Sequence, residues 1–214
     1  MSKLYVYLQH VFEELEDVNE ESVDEENESL SEDETIMENL TDWEWPWQYS
    51  FPPFFTLQPH AETKVRQITA WRNLVLEYHS HRKESILDIQ ESLRSPLFYN
   101  ATINRKLDAE FVLLIMNDLT RTKHAAPCDK TKNRWEIYWH TLEEWASILC
   151  NYAINNGLTN NVCTLFELTQ GDMVINEEFY GLNREVLIKA LKVLESQGKC
   201  EVFGTEDDTG VKFY

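Results

Sequence analysis

Apolar residues along this chain follow a pattern that occurs twice. Residues 71–78, W-x-x-L-V-x-x-Y, return 74 positions later as residues 145–152, W-x-x-I-L-x-x-Y. A longer apolar stripe over residues 107–119 returns 75 positions later, over residues 182–194. Two motifs that keep nearly the same offset over this distance indicate a duplicated structural unit.

Each copy predicts three helices. A short second helix is expected over residues 85–92 in one copy and 164–170 in the other. The third helices begin at Asp108 and Asn183, whose side chains suit the N-cap position. The first helix of the first copy begins after Pro59, and we expect its apolar face, spaced by three or four residues, to be buried: Val65, Ile68, Trp71, Val75 and Tyr78.

A hairpin is predicted after each third helix, because the apolar period changes there from about 3.6 residues to two. The alternating residues are Trp135, Ile137 and Trp139 in the first copy and Cys200, Val202, Val211 and Phe213 in the second. Three helices followed by a hairpin is the order of a winged-helix domain. We therefore predict an α+β fold of two tandem winged-helix domains, over residues 43–139 and 140–214.

Negative charge is concentrated at the beginning of the chain. The formal charge is -19, and residues 1–41 contain fourteen acidic residues and one lysine. Residues 16–41 have no aromatic and few apolar residues, so we expect residues 1–42 to be an acidic, disordered N-terminal extension. An apolar stripe before them predicts a short, marginal helix. Whether the extension is a regulatory tail or a mispredicted start of the gene stays open.

Enzymatic chemistry is not expected. Glycine is absent before Gly157, so the earlier residues contain no glycine-rich phosphate loop, and neither G-x-S-x-G nor H-E-x-x-H occurs. His79 and His81, two positions apart, are expected on the surface and cannot share a metal on one helix face. The four cysteines lie far apart, without metal-knuckle or redox spacing: Cys128, Cys150, Cys163 and Cys200. We predict no cofactor and no metal site.

The sequence also predicts the compartment. No stretch has the length of a membrane span or the pattern of a secretory signal, so we expect a cytoplasmic protein. The residues after the extension form a mildly acidic body without an evident basic patch for anionic lipid. Membrane association is therefore expected only through partners.

Nucleic-acid binding is the alternative that the predicted fold raises. The third helix of the second copy has a net charge of about +2, whereas that of the first has about -2. The best candidate for phosphate contact is the basic turn at residues 130–134, K-T-K-N-R, although we favour a solvated hairpin tip as its explanation. The alternative function is thus a winged-helix, transcription-factor-like protein.

An aromatic and proline-rich segment, residues 43–55, precedes the first domain. Seven of its thirteen residues are aromatic, and its three prolines oppose a regular helix and favour an extended path. Exposed aromatic residues are common anchors in protein interfaces. We expect the tryptophans to pack on their own domain and Pro-Pro-Phe-Phe to point outward. The candidate partner-binding residues are Trp45, Trp47, Phe51, Pro52, Pro53, Phe54 and Phe55.

The run over residues 45–59, WPWQYSFPPFFTLQP, resembles the vacuolar protein sorting-associated protein 25 family, the small subunit of the endosomal sorting complex ESCRT-II. The likeness extends to the end of the chain. It is carried further by residues 95–98, 104–107, 143–145, 164–168, 178–182 and 210–214. In this family the N-terminal extension has no counterpart.

The resemblance implies two tandem winged-helix domains in a cytoplasmic adaptor that is recruited to endosomal membranes. The proline-aromatic motif would dock the first domain on two larger winged-helix ESCRT-II subunits, with more than one copy per complex. The second domain would recruit an ESCRT-III subunit. The implied process is the sorting of ubiquitinated cargo into multivesicular bodies.

Overall fold

A computed structural model describes residues 43–205 and 208–214, so the predicted extension and its short helix lie outside the described residues. The α-helices are α1 (Ala61–Arg82), α2 (Ile89–Ser92), α3 (Ala109–Arg121), α4 (Leu142–Asn155), α5 (Leu165–Gln170) and α6 (Arg184–Ser196). The strands are β1 (Ile86–Asp88), β2 (Tyr99–Asn100), β3 (Arg105–Lys106), β4 (Ala125–Pro127), β5 (Arg134–Ile137), β6 (Val162–Thr164), β7 (Cys200–Thr205) and β8 (Asp208–Phe213).

Two antiparallel three-stranded sheets have the same construction. Their strand orders are β1-β5-β4 and β6-β8-β7, and in each the hairpin predicted from the sequence supplies two strands. The order helix, strand, helix, helix, hairpin therefore occurs twice, which confirms the tandem winged-helix prediction. The third strand of each sheet was not predicted from the sequence. Three residues of the helix expected at residues 85–92 form β1, which pairs with β5.

The described chain forms two compact units. One consists of the described residues up to Arg82 together with Ile89–Asp118, and the other of Lys83–Asp88 together with Leu119–Tyr214. The sheet β1-β5-β4 belongs to the second unit. The domain boundary between residues 139 and 140 rests on the sequence repeat and stays a prediction.

Helix α1 organises the core of the first unit. Its buried face runs through Thr63, Gln67, Trp71, the pair Leu74 and Val75, and His79. Two expectations are therefore wrong: Val65 is 64% exposed, and His79 is only 3% exposed. The cause is the phase of the helix, because residue 65 is about 200° around the axis from both 63 and 67.

Helices α4 and α6 each supply five buried apolar residues to the second unit, including Trp145, Leu149, Leu187 and Leu191. Local capping signals fix where its helices begin. Thr141 and Thr164 each form a capping box with the glutamate three residues on. The predicted N-cap residues are confirmed, since Asn183 accepts from the Glu185 N–H and, in the first copy, Asp108 accepts from the Phe111 N–H at 2.7 Å.

A buried carboxylate interrupts the alternation predicted for β5. Trp135, Ile137 and Trp139 are buried as expected, but Glu136 between them is only 3% exposed. The Tyr138 hydroxyl donates to Glu136 Oε2 at 2.5 Å, and the Lys189 ammonium on α6 contacts the same oxygen. Burial, together with the bond to Glu136, raises the pKa of Tyr138. The charge inside the second unit is thus held by two donors.

The Glu136–Lys189 pair gives a first prediction. Lys189→Met leaves the buried carboxylate without its cation and should lower the free energy of unfolding by about 2 kcal/mol. This loss is smaller than is typical for breaking a fully buried ion pair, because Lys189 is partly exposed. Adding Glu136→Leu removes the charge and should restore most of the loss. Urea unfolding of the two single variants and the double variant measures the coupling. Additive losses in the double variant would contradict it.

Candidate partner-binding surface

The aromatic arm, defined as residues 43–55, forms two short turns of 3₁₀ helix rather than the extended path that its prolines favour. The first spans Trp47–Ser50 and the second Pro52–Phe55. The two prolines occupy the first positions of the second turn, where a missing N–H costs nothing and the fixed φ is suitable. Proline here starts a turn instead of preventing one.

Side chains of α1 donate hydrogen bonds to backbone carbonyl groups of the second turn and the residue after it. Gln67 is 1% exposed, and its amide donates to the Phe54 carbonyl at 2.9 Å and to the Thr56 carbonyl at 3.0 Å. The indole N–H of Trp71 donates to the same Phe54 carbonyl at 2.9 Å. Because carbonyl groups in a buried irregular segment need donors, these bonds fix the path of the arm.

Aromatic stacking completes the attachment. Phe54 lies parallel to Trp71 with ring centroids 4.4 Å apart, and Phe55 meets Trp71 edge-on at 5.2 Å. Phe54 and Phe55 are 4% and 5% exposed, so the expectation that Pro-Pro-Phe-Phe points outward is wrong for both phenylalanines. The physical reason is that burying each ring is worth roughly 1.5–3 kcal/mol, which the domain's own core captures.

The beginning of the arm packs on the same unit. Trp45 stacks on Tyr49 at 3.9 Å and on Tyr78 of α1 at 5.6 Å, and Trp43 contacts Tyr78 at 5.8 Å. The Tyr49 hydroxyl donates to the Pro96 carbonyl, and burial raises the pKa of Tyr49. Trp43 and Trp45 thus pack on their own domain as expected.

One part of the arm remains exposed. Trp47 is 48% exposed, Pro52 is exposed, and the half-buried Phe51 lies 6.3 Å from Trp47, centroid to centroid. We call Trp47, Phe51 and Pro52 the arm ridge. The expectation that the tryptophans pack on their own domain is therefore wrong for Trp47. Of the other candidates, Trp45 and Pro53 are half-buried.

A second exposed apolar surface lies in the second unit, and the sequence analysis did not identify it. Val162, Phe166 and Met173 are 58%, 64% and 82% exposed. Val162 and Met173 line a groove of about 460 Å³, together with Tyr152, Asn156, Leu158, Asn161, Cys163, Glu167, Leu168, Gly171 and Asp172. Phe166 follows Leu165 at the start of α5, and Met173 lies in the short 3₁₀ helix Asp172–Val174, beside the buried Val174. Those two exposed apolar positions were the available signal.

The groove in the second unit has a negative rim. Its ionisable lining residues other than Tyr152 and Cys163 are the carboxylates of Glu167 and Asp172, with no lysine or arginine. The backbone N–H of Thr164 bonds to Glu167 and lowers the pKa of that carboxyl, which keeps it charged. Burial, and then Glu167, raise the pKa of the Cys163 thiol. The groove therefore combines an apolar floor with fixed negative charge.

The described residues contain neither a group of side chains arranged to bind a metal ion nor a helix suited to cross a membrane. Among residues 43–205 and 208–214, no group of three histidine, cysteine or acidic side chains is arranged to hold a metal ion. Within the same residues, no helix is long and apolar enough to cross a membrane.

Comparisons with known proteins agree on one family. The profile described as "ESCRT-II complex subunit" matches residues 48–183. The vacuolar protein-sorting-associated protein 25 of Drosophila melanogaster is 42% identical over 175 residues, covering 82% of this chain and 100% of the relative. Its Arabidopsis thaliana counterpart is 36% identical over 179 residues, 83% of this chain and 99% of the relative.

Solved structures agree with the sequence comparisons. The crystal structure of subunit VPS25 of the endosomal trafficking complex ESCRT-II superposes with a TM-score of 0.68 at 28% identity, covering 78% of this chain and 97% of that chain. A chain in the crystal structure of the endosomal complex ESCRT-II (VPS22/VPS25/VPS36) gives a TM-score of 0.67 at 29% identity, with 78% and 98% coverage.

The arm gives a second prediction, on stability. Phe54→Ala removes the ring stacked on Trp71 and should lower the free energy of unfolding by about 3–5 kcal/mol, as expected for a buried phenylalanine. The control is Trp47→Ala, which truncates an exposed arm residue and should change the free energy of unfolding by less than about 0.5 kcal/mol. Chemical denaturation followed by tryptophan fluorescence and circular dichroism measures both. Equal losses would contradict the assigned burial.

Proposed function

This chain belongs to the ESCRT-II complex subunit family, and from that premise we propose that it is a non-enzymatic adaptor of the endosomal sorting complex. Its first domain docks on two larger ESCRT-II subunits through the arm ridge. Its second domain recruits an ESCRT-III subunit. The complex thereby acts at endosomal membranes in sorting ubiquitinated cargo to multivesicular bodies.

The exposed indole of Trp47 is the observation that carries the docking proposal. Of the seven aromatic side chains of the arm, three are buried and three are half-buried, yet Trp47 remains 48% exposed. A large aromatic ring left in water on a rigid support is typical of an interface anchor. Phe51 and Pro52 extend the same apolar ridge.

Rigidity of the ridge favours binding. The turn on each side of Phe51 is held by backbone bonds, from Tyr49 N–H to the Pro46 carbonyl at 2.8 Å and from Phe54 N–H to the Phe51 carbonyl at 2.9 Å. A segment already fixed in its bound path loses little conformational entropy on association. The partners named in the related complex are VPS22 and VPS36, and the larger subunits proposed here are their counterparts.

Effector recruitment is assigned to the groove of the second unit. Its apolar floor and exposed Met173 suit the apolar face of a helix, and methionine adapts to such faces well. The Glu167 and Asp172 carboxylates favour basic residues on the polar side of that helix. The ESCRT-III contact proposed is therefore a basic, amphipathic helix.

Nucleic-acid binding is not favoured. Two of the cations that would make α6 a reading helix are occupied, since Lys189 contacts the Glu136 carboxylate and Arg184 donates to Thr209 Oγ1 at 2.9 Å. A DNA-reading helix needs such side chains directed to phosphates and bases. The proposed adaptor requires no catalysis, cofactor or metal.

The docking proposal predicts that Trp47→Ala combined with Pro52→Ala prevents co-purification with the two larger ESCRT-II subunits. Loss of a central aromatic anchor typically costs about 2 kcal/mol or more, roughly thirtyfold in affinity. The matched control is Val65→Ser, which removes another exposed apolar side chain, 64% exposed, from α1. Circular dichroism should show all variants folded. A folded double variant that still assembles would refute the assigned surface.

The effector proposal predicts that Val162→Ser with Met173→Ser, two exposed residues that line the groove, weakens binding to an ESCRT-III subunit by about tenfold or more. Purified ESCRT-III subunits are titrated one at a time against the full chain. Ile154→Ser is the control, because Ile154 is 60% exposed and does not line the groove. Affinity should also fall with added salt, as the acidic rim requires. An unchanged affinity in the double variant would place the contact elsewhere.

A further inference from the structure

A basic pocket lies in the first unit, and no residue of the arm lines it. It has a volume of about 410 Å³ and is lined by Leu93, Arg94, Tyr99, Asn104 and Lys106. This volume is within the range of small-ligand sites. The lining brings together a guanidinium, an ammonium, a phenol and a carboxamide over one short apolar side chain.

The β2–β3 hairpin builds most of this pocket. Tyr99 and Lys106 are directly paired across the two strands, so their side chains leave the same face of the hairpin. The Asn100 side chain accepts from the Thr102 N–H at 3.0 Å and fixes the connecting loop. Asn104 ends that loop with φ of 50°, a backbone conformation that asparagine tolerates. Tyr99 and Lys106 on the strand pair and Asn104 in the loop are thus held in a fixed arrangement.

Arg94 reaches the pocket from a different part of the chain. It follows α2, and its N–H donates to the Glu91 carbonyl at 2.9 Å, which continues the helical turn. Arg94 and Lys106 are twelve positions apart in sequence and line one cavity only because the hairpin folds back beside the end of α2. Arg105, adjacent to Lys106, adds a third positive charge to the same strand.

The charge of the pocket is opposite to that of the chain as a whole. The chain carries a formal charge of -19, yet no aspartate or glutamate lines this cavity. Among the residues that the structure describes, Arg94, Arg105 and Lys106 take part in no ion pair. Cations gathered in a concave surface without carboxylates produce a local positive potential that attracts an anion.

We propose that this pocket binds the phosphate groups of a phosphorylated polyol, of which an inositol phosphate is the simplest probe. Arginine can donate two parallel hydrogen bonds to a phosphate, and lysine supplies a compact positive charge. The Tyr99 hydroxyl and the Asn104 amide are further donors for the ester and ring oxygens. The same chemistry is presented by a soluble inositol phosphate and by the headgroup of a phosphorylated phosphatidylinositol.

The basic turn at residues 130–134, the phosphate candidate of the sequence analysis, is a poorer site. The Asp129 carboxylate lies within that turn and accepts from Thr131 Oγ1 at 2.5 Å and from the Arg134 N–H at 3.1 Å. These bonds lower the pKa of Asp129, so its negative charge persists beside the lysines. The turn nevertheless offers a control pair, Lys130 and Lys132, with the same number of exposed positive charges as Arg94 and Lys106.

The test measures binding of inositol hexakisphosphate to the full chain by isothermal titration calorimetry at physiological salt. Arg94→Glu with Lys106→Glu should weaken binding by about tenfold or more. Lys130→Glu with Lys132→Glu changes the net charge equally and should change the affinity by less than about twofold. Both pairs lie on exposed positions, and unfolding midpoints verify that both variants fold.

Three results would overturn the proposal. The first is absence of measurable binding by the unmodified chain. The second is equal weakening by both charge-reversal pairs, which would reduce the effect to net charge. The third is displacement of inositol hexakisphosphate from the pocket by a lower concentration of a peptide of residues 16–41, which would make an acidic peptide the occupant.

A second experiment decides whether the phosphate belongs to a lipid headgroup or to a soluble molecule. The full chain is mixed with phosphatidylcholine vesicles, with and without phosphatidylinositol bisphosphate, and separated by flotation. Flotation of the chain with the vesicles that requires the phosphorylated lipid and is lost in Arg94→Glu with Lys106→Glu identifies a lipid headgroup. Binding of the soluble probe without flotation identifies a free inositol phosphate, and either result supports the pocket.

Discussion

The attachment of the aromatic arm to Trp71 is the interaction on which the first unit depends. One indole stacks on Phe54, meets Phe55 edge-on and donates its N–H to the Phe54 carbonyl. Apolar burial, ring geometry and a buried hydrogen bond are thus satisfied by a single side chain on α1. Gln67, one turn earlier on the same face, secures the neighbouring carbonyls.

This attachment divides the arm into residues that fold the domain and residues available to a partner. Phe54 and Phe55 belong to the core, so their substitution in any binding assay confounds affinity with stability. The arm ridge stands on that core and can be changed without opening it. A proline-aromatic motif is therefore not uniformly a docking motif, because its aromatic residues fall on both sides of one turn.

Sequence reasoning recovered what depends on local periodicity and failed where tertiary packing decides. The repeat, the helices and the caps at Asp108 and Asn183 follow from apolar spacing and side-chain chemistry within a few residues. Strand β1 has three residues and is defined by its pairing with β5, which the local sequence does not specify. Trp47 and Phe54 are both large aromatic residues, and their opposite exposure comes from α1. The basic pocket was missed because Arg94 and Lys106 are not contiguous.

The two copies differ in how the tryptophan of their first helix is bonded. In both, the tryptophan of the first helix is covered by aromatic residues that precede that helix. Trp145 meets Trp139 at 5.7 Å and His140 at 4.7 Å, residues of the short connection just before α4. Among the described residues, however, the Trp145 indole N–H has no hydrogen-bond partner, whereas that of Trp71 holds the Phe54 carbonyl. Trp71 thus has a second role that Trp145 lacks, since it fixes a longer preceding segment in which Trp47 and Pro52 are exposed. The docking role proposed for the first domain requires no change in the winged-helix framework that both copies share.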